Sequence, residues 1–130
     1  MRRHLPLLLP MAALAAAPAA ADQRRDPETR LARAVEGRVA GAPVGCISLH
    51  AVRSSRIIDN TAIIFDAGHT IYVNRPRSGA ETLDSHDTLI TRTFSGRLCS
   101  VDVVEVTDSA TLGFSRPVFL GEFVPYRRAR

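Results

Sequence analysis

Two arginine pairs carry the richest chemistry in this chain. Arg53 and Arg56 stand in Arg-Ser-Ser-Arg, and Arg75 and Arg77 stand in Asn-Arg-Pro-Arg-Ser-Gly. Both runs lie where an apolar segment gives way to a polar one. A guanidinium is a planar fork of donors that matches phosphate or carboxylate in bidentate fashion. If the two junctions meet at one end of the fold, four guanidiniums with Ser54, Ser55 and Ser78 make an anion site. Phosphate, carboxylate or an acidic glycan would fit it. The opposing reading pairs these arginines with Asp59, Asp66, Asp84 and Asp87 on a wet surface, where ion pairs contribute little.

A second constellation is Asp84-Ser85-His86-Asp87. An imidazole oriented by a carboxylate can act as a general base, so His86 with Asp84 or Asp87 supports the alternative of a small envelope hydrolase. Against it, neighbours in sequence rarely converge on one point, and no second cluster has metal-ligand spacing. A solvated loop explains the same residues. His69 and Asp66 read as a pair across a hairpin. The chain has no G-x-S-x-G, and with no lysine it cannot run Ser-Lys chemistry. Gly37, Gly41 and Gly45 are spaced four apart, which is not a phosphate-binding glycine pattern. No catalytic residue, metal ligand or cofactor is assigned on these grounds.

The elements that must position the arginines follow a leader. Met1-Arg2-Arg3-His4 is a positive head, Leu5 to Ala17 is apolar, and Ala19-Ala20-Ala21 precedes the polar Asp22-Gln23-Arg24-Arg25. These are the parts of a secretory signal peptide over 1–21, cleaved near Ala21. An apolar run of that length falls short of the roughly 20 residues a membrane span needs. The expected location is therefore periplasmic or secreted, with no transmembrane anchor in the mature chain. Losing Arg2 and Arg3 leaves 15 arginines against 13 acids, a net charge of +2. That modest and interleaved excess argues against nucleic acid as a partner. Cys46 and Cys99 are the only cysteines. In an exported chain such a pair forms a disulfide. Closing a loop of this size is worth up to about 4 kcal/mol in the chain-entropy picture.

Residues 22–26 read as a mobile tail. Asp26-Pro27-Glu28 opens a helix over 27–36: Asp caps, Pro takes the first position, and Glu suits the positive end of the dipole. Leu31, Ala34 and Val35 form its apolar stripe, and Gly37 stops it. From Pro43 onward the pattern predicts strands over 44–52, 57–65, 70–73, 88–94, 98–106 and 118–124. Asp66 to His69 is a hairpin connection, 74–84 and 107–117 are loops, and Pro125 ends the last strand. The disulfide then ties the first strand to the fifth. The expected fold is mostly β: a small barrel or sandwich of about six short antiparallel strands with one short N-terminal helix. It forms a single domain over 27–126, followed by a basic tail at 127–130.

An ordered series of segments extends this reading. Cys46-Ile47-Ser48-Leu49, Arg53 to Asp59, Ile71 to Arg75, Leu98 to Asp102, and Leu120 to Pro125 together resemble a family of small exported proteobacterial proteins of unknown function, many of them lipoproteins. The resemblance spans about residues 44–126. It implies an envelope location and one domain, and it transfers no catalytic residue. This chain departs from the family pattern in lacking a lipobox cysteine. It also lacks a second cysteine pair, with Ala80 and Phe119 near the corresponding places. The resulting expectation is a non-catalytic domain that binds an anionic ligand or an envelope protein through Arg53, Arg56, Arg75 and Arg77.

Overall fold

The computed structural model describes residues 3–10, 12, 26–108 and 114–129. Helix α1 spans Pro27–Ala34. Its start is set by Asp26, whose carboxylate accepts the Glu28 N–H at 3.2 Å and the Thr29 hydroxyl at 2.8 Å. The helix stops two residues sooner than its apolar stripe implied. Gly37, at φ 76°, turns the chain into a strand that the sequence reading did not include.

Among the described residues ten strands follow in three antiparallel sheets, with no closed barrel. They are β1 (Arg38–Ala40), β2 (Cys46–Ser48), β3 (Ser54–Ile58), β4 (Ala62–Asp66), β5 (Thr70–Asn74), β6 (Thr88–Ile90), β7 (Arg97–Cys99), β8 (Val103–Thr107), β9 (Ser115–Phe119) and β10 (Phe123–Arg128). The largest sheet has the order β1-β10-β5-β4-β3. The others are β2-β7 and β6-β8-β9.

The large sheet is buried on both faces at its centre. Along β4, Ala62 and Ile64 join a cluster with Leu31 of the helix, while Ile63 and Phe65 join a second cluster with Leu98, Val104 and Val118 of the smaller sheets. Side chains alternate between faces along a strand. A strand covered on both sides is therefore apolar at every position, and β4 is buried from Ala62 through Phe65. The helix thus lies on one face of the large sheet and the two small sheets on the other.

Five expected strands are shorter or divided, among them 88–94, which keeps only Thr88–Ile90. The run 57–65 breaks at Asp59-Asn60-Thr61, where Asn60 adopts φ 53° and the Thr61 N–H donates to the Ile58 carbonyl. Asparagine tolerates that left-handed conformation better than most residues. The run 98–106 breaks at Asp102, whose carboxylate accepts the Cys99 N–H at 2.7 Å. The run 118–124 breaks at Gly121. The run 44–52 keeps only Cys46–Ser48 as strand, followed by a 3-10 turn over Leu49–Ala51.

Pro125 does not end the last strand, and Arg127 and Arg128 lie in β10 rather than in a tail. The Pro125 carbonyl accepts the Gly41 N–H, so its nitrogen faces the same side, just beyond the last residue of β1. The missing donor is tolerated where a neighbouring strand stops. The disulfide joins β2 to its direct partner β7, with Cys46 opposite Cys99. Most of the leader lies outside the described residues, as do Ala21, the tail over 22–25 and part of the 107–117 loop. No helix among the described residues is long and apolar enough to cross a membrane.

Candidate functional site

The position of each arginine follows from strand direction. β3 runs antiparallel to β4, and β4 to β5, so β3 and β5 point the same way. Arg53 precedes the start of β3, whereas Arg75 and Arg77 follow the end of β5. The two junctions therefore occupy opposite ends of the large sheet, separated by the length of a five-residue strand, roughly 15 Å. The structure does not gather Arg53, Arg56, Arg75 and Arg77 into one site.

Each has its own surroundings. Arg75 forms a two-pronged pair with Glu28 of the helix, at 2.8 and 2.9 Å. The Arg75 hydrogen bond is the main reason the Glu28 carboxyl is held below its ordinary value. Arg77 donates from Nε to the Leu120 carbonyl at 2.7 Å. Arg53 is exposed, with its guanidinium 4.0 Å from Asp66. Arg56 is exposed on β3, the edge strand, and among the described residues its side chain has no hydrogen-bond or ion-pair partner.

A different cluster forms around Arg53. β10 pairs with β5 so that Arg127 stands opposite Thr70, which brings the end of β10 beside the β4–β5 hairpin. The result is an open hollow of about 840 Å³ lined by Arg53, Ala67, Gly68, His69, Arg127 and Arg128. The hairpin that forms its floor is rigidly specified. Gly68 takes φ 82°, its N–H donates to the Asp66 carboxylate at 2.8 Å, and the Ala67 N–H donates to the Thr70 carbonyl at 2.9 Å. Arg38 braces the floor by donating to the carbonyls of Gly68 and His69, at 3.2 and 3.0 Å.

The electrostatics of this hollow are one-sided. Arg127 uses Nε on the Thr70 hydroxyl, at 3.2 Å, and its terminal nitrogens make no hydrogen bond to any described residue. Among the described residues the Arg128 side chain has no hydrogen-bond or ion-pair partner, and both side chains are exposed. Four guanidiniums, counting Arg38, surround the hairpin. The nearby carboxylate is that of Asp66, which is engaged with Gly68. Of the expected site, Arg53 belongs to this cluster. Sequence reading missed Arg38, Arg127 and Arg128 as members, because nothing local in the chain says that β1, β10 and the hairpin adjoin.

The His86 constellation is spread apart. His86 is exposed and contacts Asp84, Nδ1 to Oδ1 at 3.0 Å. The His86 backbone N–H, then its ring, lowers the pKa of Asp84. Asp87 is turned away and almost fully buried, in an ion pair with Arg116 of β9. His86 thus stands on the surface with one acid beside it and the other committed elsewhere. Among the described residues no group of three or more His, Cys, Asp or Glu side chains is placed to hold a metal ion. His69 lines the cationic hollow, and it forms no ion pair with Asp66. Comparison with protein-family models, with curated proteins and with solved structures returns no match for this chain.

Proposed function

We propose that this is an exported, non-catalytic binding domain that takes an anionic ligand in the hollow at the β4–β5 hairpin. One observation carries the reading. Arg53, Arg127 and Arg128 line one concavity, and among the described residues the carboxylate beside it is that of Asp66, which accepts the Gly68 N–H and stands 4.0 Å from Arg53. An isolated exposed pair contributes under about 1 kcal/mol, so one arginine on a surface means little. Several forks aimed at one volume act together, and the multiply charged anion that spans them gains from each. The size of the hollow suits a ligand with two or more anionic groups better than a single chloride-sized ion. Export is supported by the charged, apolar and small-residue order of 1–21 and by the Cys46–Cys99 disulfide, which persists in oxidising compartments.

The test is a thermal shift of the oxidised protein with pyrophosphate, citrate and, as a weaker anion, chloride at matched ionic strength. A ligand that binds only the folded chain raises the melting temperature by mass action. Pyrophosphate at saturating concentration is expected to raise it by about 2–5 °C. That rise should vanish in the Arg127→Ala, Arg128→Ala double variant and persist in the Arg75→Ala, Arg77→Ala double variant. A rise that survives the first and disappears in the second would return the site to the opposite end of the sheet.

A further inference from the structure

Arg56 is not part of the cationic hollow, and its position invites a different ligand. It sits at the middle of β3, the outermost strand of the large sheet, with Ser54 and Ser55 exposed before it. The Thr61 N–H donates to the Ile58 carbonyl, so Ile58, Arg56 and Ser54 turn their backbone groups toward β4. Ser55 and Ile57 turn theirs outward. Among the described residues no backbone hydrogen bond reaches β3 from that outer side. An unpaired edge is a template for another strand.

Two cavities flank Arg56. One, of about 310 Å³, lies among Ala34, Ser54, Ile64, Asp66 and Ile71. The other, of about 250 Å³, lies among Arg30, Ile57, Ile58 and Ser85. Arg56 lines both. A strand added to this edge would place a residue opposite Arg56 at a non-hydrogen-bonded position, where facing side chains come closest. Its neighbours two positions away on the same face would stand over the two cavities.

We infer that the β3 edge binds an extended peptide from a partner protein, with an acidic residue opposite Arg56 and small apolar residues two positions to either side. The charge argument also selects against a second copy of this chain. Arg56 is the central residue of β3, so two copies pairing edge to edge about a two-fold axis would bring two unpaired guanidiniums together. Asp66 at the rim of the first cavity, itself engaged with Gly68, disfavours a second acid there. Backbone pairing supplies attraction and alternate side chains supply selectivity, as in other strand-addition complexes.

The probe is a fluorescein-labelled, end-blocked Thr-Val-Thr-Glu-Thr-Val-Thr peptide, titrated with the full oxidised protein by anisotropy. Saturable binding is expected, and replacing the glutamate by lysine should weaken it at least tenfold. Arg56→Glu should reverse that preference, and its melting temperature should match that of the wild type. N-methylation of the two threonines beside the glutamate should abolish binding, because their amides would face β3. N-methylation of the glutamate itself should be tolerated. The inference is overturned if the peptide does not bind, if the glutamate and lysine forms bind equally, or if sedimentation shows β3 buried in a dimer that Arg56→Glu breaks. Loss of binding in the Arg127→Ala, Arg128→Ala variant with Arg56→Glu unaffected would also overturn it, by assigning the peptide to the cationic hollow.

Discussion

Asn74 and Gly121 show how single residues hold the end of the sheet opposite the hollow. Asn74 is fully buried, and its amide donates to the Gly121 carbonyl at 2.7 Å and accepts the Gly121 N–H at 2.9 Å. Removing the side chain leaves two buried backbone groups without partners, at about 1–3 kcal/mol each and about 2–6 kcal/mol together. Asn74→Ala should therefore lower the unfolding free energy by that amount in urea melts. Asn74→Asp should restore only the accepting half of the pair. Gly121 has no room for a side chain, since a Cβ would lie 2.3 Å from the Arg75 carbonyl oxygen. Gly121→Ala should cost more than about 2 kcal/mol, and a cost under about 0.5 kcal/mol would show that the backbone there yields freely. The Asn74–Gly121 link could not be read from the chain, because a buried Asn looks like a loop residue until its partner is known. The Asp26 cap, the Gly68 hairpin and the pairing of two lone cysteines were legible, since each is set by neighbours in sequence or by there being no other partner.

Elements explain which arginines serve structure. Helix α1 is fastened at two points, by Glu28 with Arg75 and by Arg30 with Asp59 at 2.6 Å. Burial works to raise the Asp59 pKa, yet the hydrogen bonds from Arg30 and Ser85 outweigh it and the carboxyl titrates below its ordinary value. Glu28 is lowered chiefly by Arg75. Both carboxyls hold protons less tightly in the folded chain than in the unfolded one. Their contribution to stability is complete at neutral pH and is lost as the pH falls through and below the ordinary carboxylate range near 4. The helix should therefore loosen first on acidification, seen as faster amide exchange at Leu31 while Ile63 and Val104 stay protected. Glu28→Gln should remove part of this pH dependence, by a modest amount because that pair is exposed. The apolar stripe Leu31, Ala34 and Val35 announced the helix and its docking face correctly. The strands were harder. The run 57–65 reads as one strand because it is rich in β-branched residues, yet Asp59-Asn60-Thr61 in its middle form the turn of a hairpin.

At the scale of the whole molecule, the cationic hollow depends on pairings between distant parts of the chain. Arg53 and Arg127 share a hollow because β10 returns to lie beside β5, and neither local composition nor spacing encodes that return. The disulfide acts on a different part of the fold. It spans 53 residues and staples β2 to β7, a two-stranded sheet whose Ile47 and Leu98 belong to the larger core cluster. Reduction should lower stability by about 2–5 kcal/mol, measured by melting with and without reductant. The hollow lies at the hairpin end of the large sheet and is lined by Arg53 just before β3, by the β4–β5 hairpin and by β10, with no residue of β2 or β7 in its lining, so anion binding below the melting transition should survive reduction. The anion-binding account is tested most directly by titrating isotope-labelled, oxidised protein with pyrophosphate and following backbone amide shifts. The account predicts that saturable shifts concentrate at Arg53, Ala67, Gly68, His69, Arg127 and Arg128, weakening as salt screens the guanidiniums. Shifts centred on Arg75 and Arg77, or no saturable shift at low ionic strength, would contradict it.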